Sequence, residues 1–357
     1  MDQQNLFVKE ILFYSDKLIE GIKMNVLKKK KMSILVLIVV PLLMLGCSSK
    51  NDEPISVAEE LQINQGTILK YEEDKYNLYN YKEDEYKLYE PNKAVVAYDK
   101  SSSNYIYSED KKYYIVHNGE KNEVKDREFT DIKISPNGKY ISYFIEDEGL
   151  HLKVFETDKN KEMKINSKVS VSGVLYDWYD ENIILYYGIS SDGINGIFTY
   201  DLDNNKENLI YKIDEGYLGF IKSSKENIIF LQIDFDNNKE LMILNKSNNE
   251  VVLLTDKIEL LQDVIIKNDE IYFVGKAYND KESLYKVNGN KVQRVVFDFP
   301  SIVEVGKGLS IGENGEILFI GKDNSSKKKA VYSCSEDKTI SLVSDKANDY
   351  DFIKFNE

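Results

Sequence analysis

The chain has 357 residues, of which 42% are hydrophobic and 30% charged, and it carries a net charge of −14. This composition is typical of a globular protein with a large core, and two cysteines are too few for a disulfide scaffold. The acidic balance argues against nucleic acid as a partner and against charge attraction to anionic lipid headgroups. The 26 tyrosines, with many Ile, Val and Phe residues, favour β-strands.

Residues 24–46 have the parts of a secretory signal peptide. A run of four lysines at 28–31 precedes an apolar stretch at 32–45 that is too short to cross a bilayer as a helix. This signal has its own start at Met24, so we expect residues 1–23 to be an upstream extension or a misassigned start. A translated amphipathic extension is the alternative, because apolar residues recur through that segment.

The signal ends in Met44-Leu45-Gly46-Cys47, which resembles the lipobox of bacterial lipoproteins, with Met44 in place of the usual leucine. The resemblance implies cleavage before Cys47 and a diacylglycerol on its sulfur. Two or more acyl chains, such as palmitate, hold a protein stably at a membrane. We therefore expect a protein anchored at the extracytoplasmic face of the cell membrane. An uncleaved anchor with an unmodified cysteine is the alternative.

Residues 47–65 are polar and predict a linker, and residues 66–357 carry a repeat. The residue that opens the second strand of each unit recurs at steps of 43, 45, 43 and 46, and the residue that ends the third strand recurs at steps of 45, 44, 43 and 47. The opening residues are Tyr140, Ile183, Ile228, Ile271 and Ile317, and the ending residues are Phe155, Tyr200, Leu244, Val287 and Cys334. Such a period with four strands per unit and no helical periodicity predicts an all-β fold, a β-propeller of four-stranded blades.

One unit contains Ser135-Pro136-Asn137-Gly138-Lys139, which resembles the SPDGK motif of TolB-like and related WD40-like propeller repeats. The other units keep the strand pattern without the Ser-Pro pair. The resemblance therefore implies propeller architecture over about Ile68 to Phe355, and it does not transfer a TolB role.

The chain ends decide the number of blades. Six complete units fit between Lys93 and Ser344. The N-terminal strands within 68–89 then lack an inner strand, and the C-terminal strand at 352–355 lacks partners. Joining them predicts a seventh blade that closes the ring, because closure removes exposed sheet edges. Six blades, with the N-terminal strands peripheral, is the alternative.

Several groups that suggest chemistry have simpler interpretations. Two DxDNNKE loops, at 201–207 and 234–240, resemble calcium loops, but the strand alignment places them at opposite ends of the ring, which favours turn chemistry. His117 and His151 are the only histidines, so zinc or triad chemistry lacks partners. Cys334 is expected to be a buried apolar side chain. We predict no catalytic residues, no metal and no cofactor.

Two groups of residues are candidate sites. Asp131, Asp263 and Asp351 lie on predicted inner strands, where they either form a solvated channel lining or hold a cation or a sugar. Loops between second and third strands vary in length and composition on a constant scaffold, as functional loops do. The candidate binding face on these loops comprises Asp192, Asp234, Phe235, Asp236, Tyr278, Asp280 and Asp323.

The sequence thus predicts a lipid-anchored propeller that acts as a non-catalytic binding or scaffold module. Its expected partners are membrane lipid through Cys47 and an envelope protein or glycan, with no nucleic acid. The alternative is a carboxylate-dependent enzyme acting on polysaccharide or peptide at the channel mouth.

Overall fold

A computed structural model describes residues 60–90, 92–147 and 149–356. These residues form seven sheets arranged as the blades of a propeller, with almost no helix. The all-β prediction and the seven-blade count are confirmed. Met24 and Cys47, with the predicted signal peptide and most of the predicted linker, lie outside the described residues. Among the residues that are described, no helix has the length and apolar character needed to cross a membrane.

Blade 1 combines strands from the N-terminal and the C-terminal parts of the described chain. Its three outer strands are β1 (Ile68–Glu72), β2 (Lys75–Lys82) and β3 (Glu85–Leu88).

Blades 2 to 6 are each built from four consecutive antiparallel strands, because polar turns join one strand to the next. Their strands are β4 (Ala94–Asp99), β5 (Asn104–Glu109), β6 (Lys112–His117) and β7 (Glu120–Glu123) in blade 2; β8 (Thr130–Ile134), β9 (Tyr140–Glu146), β10 (Leu150–Glu156) and β11 (Lys161–Glu162) in blade 3; β12 (Val169–Asp180), β13 (Ile183–Ser190), β14 (Asn195–Asp201) and β15 (Lys206–Lys212) in blade 4; β16 (Tyr217–Ser223), β17 (Asn227–Ile233), β18 (Lys239–Asn245) and β19 (Val251–Thr255) in blade 5; and β20 (Ile258–Lys267), β21 (Glu270–Ala277), β22 (Glu282–Asn288) and β23 (Lys291–Arg294) in blade 6.

Blade 7 has an interrupted inner strand. Two short strands share the inner position and both pair with the second strand, and a single 3-10 turn separates them. Its elements are β24 (Ile302–Val303), the 3-10 turn Val305–Lys307, β25 (Leu309–Ile311), β26 (Ile317–Lys322), β27 (Ala330–Cys334) and β28 (Ile340–Leu342).

The C-terminal segment closes the ring. Strand β29 (Asp349–Phe352) is the inner strand of blade 1 and pairs antiparallel with β1, so that Phe352 lies opposite Ile68. The predicted closure is therefore confirmed, with a shift, because the expected strand was 352–355. Residues after Ile353 instead form β30 (Lys354–Asn356), which pairs in parallel with β4 of blade 2.

The core lies between neighbouring blades, and buried tyrosines fill much of it. Tyr140 stacks on Trp178 of the next blade with ring centres 6.0 Å apart. The hydroxyl of buried Tyr176 donates to the Asp131 carbonyl at 2.6 Å, and that of Tyr98 donates to the Leu61 carbonyl at 2.9 Å. A tyrosine can thus fill the space between two sheets while its hydroxyl reaches backbone at the edge, which explains the Tyr-rich composition.

Packing starts before the predicted domain boundary at residue 66. Leu61 is fully buried and Ile63 nearly so, and both belong to a core cluster with residues of blades 1 and 2. The last residues of the predicted linker therefore form part of the ring.

The SPNGK turn joins blade 3 to blade 2. Pro136–Gly138 form a 3-10 turn. The backbone N–H of Ser135 donates to the Tyr140 carbonyl at 2.8 Å, and the Ser135 hydroxyl accepts a hydrogen bond from the backbone N–H of Tyr140 at 3.0 Å. The Asn137 amide donates to the buried Asp99 carboxylate of blade 2 at 3.1 Å. The motif therefore has a structural role in blade packing.

Candidate functional site

One end of the ring carries the predicted binding loops, and we call it the front face. Because the strands alternate in direction, the turns between second and third strands and the connections between blades reach the same end. The front face includes the turns at 191–194, 234–238, 278–281 and 323–329, and the connections at 213–216, 256–257 and 295–301.

Phe235 and Tyr278 are the most exposed large hydrophobic side chains in the described part of the chain, at 77% and 67%. Each lies in a tight turn with a left-handed asparagine, at φ 65° for Asn237 and φ 59° for Asn279. Asn238 donates its backbone and side-chain N–H groups to Asp234, at 2.8 and 2.7 Å. The turns therefore present both rings in defined positions.

Three further aromatic residues on the front face were missed by the sequence analysis. Phe297 and Phe299 are 53% and 49% exposed on the connection between blades 6 and 7, and Tyr217 is 46% exposed at the start of β16. An available signal was the Phe-Asp-Phe-Pro sequence, in which two aromatic residues flank an acid outside any strand. Together with Phe235 and Tyr278, these exposed residues of the front face are called the aromatic patch below.

Hydrogen bonds join the loops that carry Tyr278 and Phe297. Lys281, three residues after Tyr278, donates to the Phe297 carbonyl at 3.2 Å. The Arg294 guanidinium lies 4.7 Å from the centre of the Phe297 ring, and the Tyr278 amide donates to the Lys257 carbonyl at 3.0 Å. These bonds hold the Tyr278 turn against both connections that flank blade 6.

The acidic residues of the predicted binding face divide into two groups. The first group has partners within the protein. Asp234 accepts a hydrogen bond from Asn238, Asp280 pairs with Arg294 at 2.6 Å, and Asp323 pairs with Lys346 at 2.7 Å. The hydrogen bond from Asn238 lowers the pKa of Asp234. Within the described chain, the exposed side chains of Asp192 and Asp236 form no ion pair or hydrogen bond.

The predicted channel carboxylates are all paired with lysines. Asp131 accepts from Lys354 at 2.6 Å, Asp263 from Lys222 at 2.6 Å, and Asp351 from Lys307 at 2.7 Å. The lysines come from a different blade or strand in each case, so the acids could be identified from the sequence but their partners could not. Each of the three carboxylates therefore has a lysine ammonium as its counter-ion.

These pairs belong to a larger circuit on the inner strands, which we call the inner ion-pair ring. Lys133 pairs with Asp177 at 3.3 Å, and the other carboxylate oxygen of Asp177 accepts the Ser223 amide of blade 5 at 2.8 Å. Asp263 likewise accepts the Leu309 amide of blade 7 at 2.9 Å. The members are Asp131, Lys133, Asp177, Lys222, Asp263, Lys307, Asp349, Asp351 and Lys354. The ring thus connects each of blades 3 to 6 to the next blade. It also connects blade 7 to the closing strand of blade 1.

Burial and pairing change the pKa values of this ring. Burial raises the pKa of Asp349, but hydrogen bonds from Lys329 and Lys307 outweigh it, and the net pKa lies below the usual value. Burial lowers the pKa of Lys307, but the Asp351 and Asp349 carboxylates outweigh it and the net pKa is raised. For Lys354 burial dominates and lowers the pKa despite Asp131.

The remaining candidate groups have structural surroundings. His117 contacts the side chains of Asn104 and Thr157 through Nδ1 at 2.8 and 3.0 Å, and His151 bonds the Asp147 carbonyl. Cys334 is buried, as predicted, and burial raises the pKa of its thiol to about 11. Across residues 60–90, 92–147 and 149–356, no three His, Cys, Asp or Glu side chains converge to hold a metal ion.

The two DxDNNKE loops lie at opposite ends of the ring, as the strand alignment predicted. The first joins β14 to β15 and the second joins β17 to β18, which places them at opposite ends of blades 4 and 5. Asp201 accepts the backbone amides of Asp203 and Asn204, both at 3.0 Å, and so caps its own turn. The first aspartate of each loop therefore stabilises its own turn: Asp201 through these backbone amides, and Asp234 through the hydrogen bonds from Asn238.

No family model matches the chain, and no curated protein matches it in sequence. Among solved structures, it is similar to the β-propeller domain of the Trilobed protease from Pyrococcus furiosus, with a TM-score of 0.52, 12% identity, and coverage of 79% of this chain and 94% of that one. It is also similar to a prolyl endopeptidase, with a TM-score of 0.50, 13% identity, and coverage of 66% of this chain and 40% of that one. TolB from Acinetobacter baumannii matches with a TM-score of 0.43, 14% identity, and coverage of 72% of this chain and 64% of that one. The chain thus spans less than two thirds of the endopeptidase and of TolB, and at these identities the likeness concerns the fold alone.

Proposed function

We propose that the protein is a lipid-anchored extracytoplasmic β-propeller that binds an envelope protein or glycan through the aromatic patch and catalyses no reaction. The observation that carries the proposal is the exposure of Phe235 and Tyr278 on tight turns at one end of the ring. Water-exposed aromatic rings on defined turns are typical anchors of binding surfaces, because they bury large area at low entropic cost.

The inner ion-pair ring favours a binding module over a carboxylate-dependent enzyme. General acid–base catalysis by two carboxyl groups needs one protonated acid near an ionised partner with space for substrate between them. Asp131, Asp263 and Asp351 are instead each paired with a lysine at 2.7 Å or less. Their arrangement supports a structural role in joining blades.

The membrane anchor rests on the lipobox resemblance at Cys47. Mass spectrometry of the mature protein from a bacterial envelope is expected to find acylated Cys47 as the first residue. Replacement Cys47→Ala is expected to leave the peptide bond after Gly46 intact and to abolish acylation, because only the cysteine thiol can form the thioether to the lipid. The matched replacement Ser48→Ala is expected to change neither. An unmodified thiol in an intact Gly46–Cys47 sequence contradicts the anchor.

Binding through the aromatic patch can be tested separately from the membrane anchor. The double variant Phe235→Ala/Tyr278→Ala is expected to reduce capture of partners from detergent-solubilised envelope at least tenfold, because anchor residues carry most binding energy. Its free energy of unfolding is expected to stay within about 0.5 kcal/mol of the parent, since both rings are exposed.

A matched control uses exposed apolar residues away from the patch. Val252 and Leu253 are 48% and 44% exposed on the outermost strand of blade 5. The variant Val252→Ala/Leu253→Ala is expected to capture the same partners as the parent protein. Equal capture by the patch variant and the parent, measured by quantitative mass spectrometry, counts against the proposed binding surface.

A further inference from the structure

The basic side chains around the aromatic patch are already occupied. Arg294 pairs with Asp280 at 2.6 Å, Lys276 pairs with Glu259 at 2.6 Å, and Lys281 donates to a backbone carbonyl at 3.2 Å. Two further lysines also have partners. Lys257 pairs with Asp256 at 2.9 Å, and Lys239 donates a hydrogen bond to the Glu259 carbonyl. The patch therefore offers little free positive charge to an anionic ligand.

Three acidic side chains close in sequence to the exposed rings have no ion-pair partner among the described residues. Asp236 follows Phe235, Asp298 lies between Phe297 and Phe299, and Glu282 begins the strand after the Tyr278 turn. All three acids are exposed. In the described ranges, none of the three carboxylates takes part in an ion pair or a side-chain hydrogen bond, whereas most other acids of these loops do. Aromatic faces thus occur beside carboxylates that have no cation of their own.

We propose that the aromatic patch binds a cationic segment of a partner protein, with lysine or arginine side chains lying on the rings and their charges directed to Asp236, Asp298 and Glu282. This inference rests on the proposed function and specifies the partner. Cations are attracted to the faces of aromatic rings, and complementary charge selects partners and speeds association. The protein itself uses this contact where Arg294 lies over Phe297.

The same charges disfavour other occupants. Free carboxylates repel an anionic glycan or a phosphate-rich surface, and a neutral sugar stacked on the rings leaves their negative charge unbalanced. A second copy of this chain brings a net charge of −14 to the interface. A basic polypeptide is the partner class that satisfies both the rings and the acids.

The test measures binding of a hexa-arginine peptide to the detergent-solubilised full chain by isothermal titration calorimetry at physiological salt. The variant Asp236→Asn/Asp298→Asn is expected to raise the Kd about tenfold, and Phe235→Ala/Tyr278→Ala by a similar factor, from the typical strength of surface cation–π and charge contacts. A hexa-glutamate peptide is expected not to bind.

A charge-matched control separates the patch from the general acidity of the protein. Asp158 and Asp269 are exposed acids in turns at the opposite end of the ring. Asp158→Asn/Asp269→Asn removes the same charge, and it is expected to change the Kd less than twofold. An equal effect of this control and of the patch acid variant overturns the inference.

Partner capture distinguishes failure of this inference from failure of the proposed function. If Asp236→Asn/Asp298→Asn captures envelope partners like the parent while Phe235→Ala/Tyr278→Ala does not, the binding surface stands and the cationic partner is wrong. Binding of neutral N-acetylglucosamine oligomers that depends on the rings but not on the acids also overturns the cationic partner. If neither variant alters capture, the binding surface itself fails.

Discussion

Truncation after Asn348 is expected to destabilise the whole ring by about 5 kcal/mol or more, a large part of the stability of a typical domain. The deletion removes β29, the inner strand of blade 1, and leaves the edge of β1 unpaired. It also removes Tyr350, which is fully buried and whose hydroxyl donates to the Asp345 carbonyl at 2.7 Å. Urea unfolding followed by circular dichroism measures the loss.

Single replacements make this prediction specific. Tyr350→Ala is expected to cost about 3–5 kcal/mol, as is typical when a large buried aromatic side chain is truncated. The same chemical change at an exposed site, Tyr278→Ala, is expected to cost less than about 0.5 kcal/mol. A truncated protein with the unfolding midpoint of the parent shows that β29 does not hold the ring closed.

Replacement Lys307→Ala is expected to cost about 2 kcal/mol, because it leaves two carboxylates without their shared cation. Lys307 contacts Asp349 at 2.9 Å and Asp351 at 2.7 Å and so connects the 3-10 turn of blade 7 to the closing strand. The expected cost is below the 3–5 kcal/mol of a fully buried pair, since the Asp351 side chain remains 39% exposed and Lys329 still contacts Asp349.

The pH dependence of this variant follows from the directions of the pKa shifts. The folded pKa of Asp349 lies below its unfolded value near 3.8, so its contribution is present above that pH and is lost as pH falls through the folded pKa. The folded pKa of Lys307 lies above 10.5, so its contribution is present below that pH and is lost as pH rises through the folded pKa. The stability difference between the parent and Lys307→Ala is therefore largest at neutral pH and shrinks in acid below about pH 4.

A surface pair is the control for this second prediction. Lys212 and Asp214 pair at 2.6 Å with side chains 60% and 81% exposed. Lys212→Ala is expected to cost less than about 0.5 kcal/mol at any pH, since water screens the pair. Chemical unfolding of both variants from pH 3 to 8 makes the comparison. A cost for Lys307→Ala that equals the control, or that does not change with pH, contradicts the structural role of the inner ion-pair ring.

The sequence by itself determined the blades, because a blade is built from local contacts. The residues predicted to open the second strands lie within one position of the observed starts, as at Tyr140 and Ile183. The predicted ends of the third strands are equally close, as at Tyr200 and Cys334. Alternating apolar side chains and polar turns fix these bounds over a few residues, and the regular period then predicts the ring.

Only the tertiary structure decided which distant groups meet. Lys354 reaches Asp131 across 223 residues, and β30 pairs in parallel with β4 from the other end of the domain. Such contacts depend on how blades are oriented around the ring, and no local pattern encodes that orientation. The same reason applies to Phe297 and Phe299, whose residue type predicts burial, whereas their position on a connection between blades leaves them exposed to solvent.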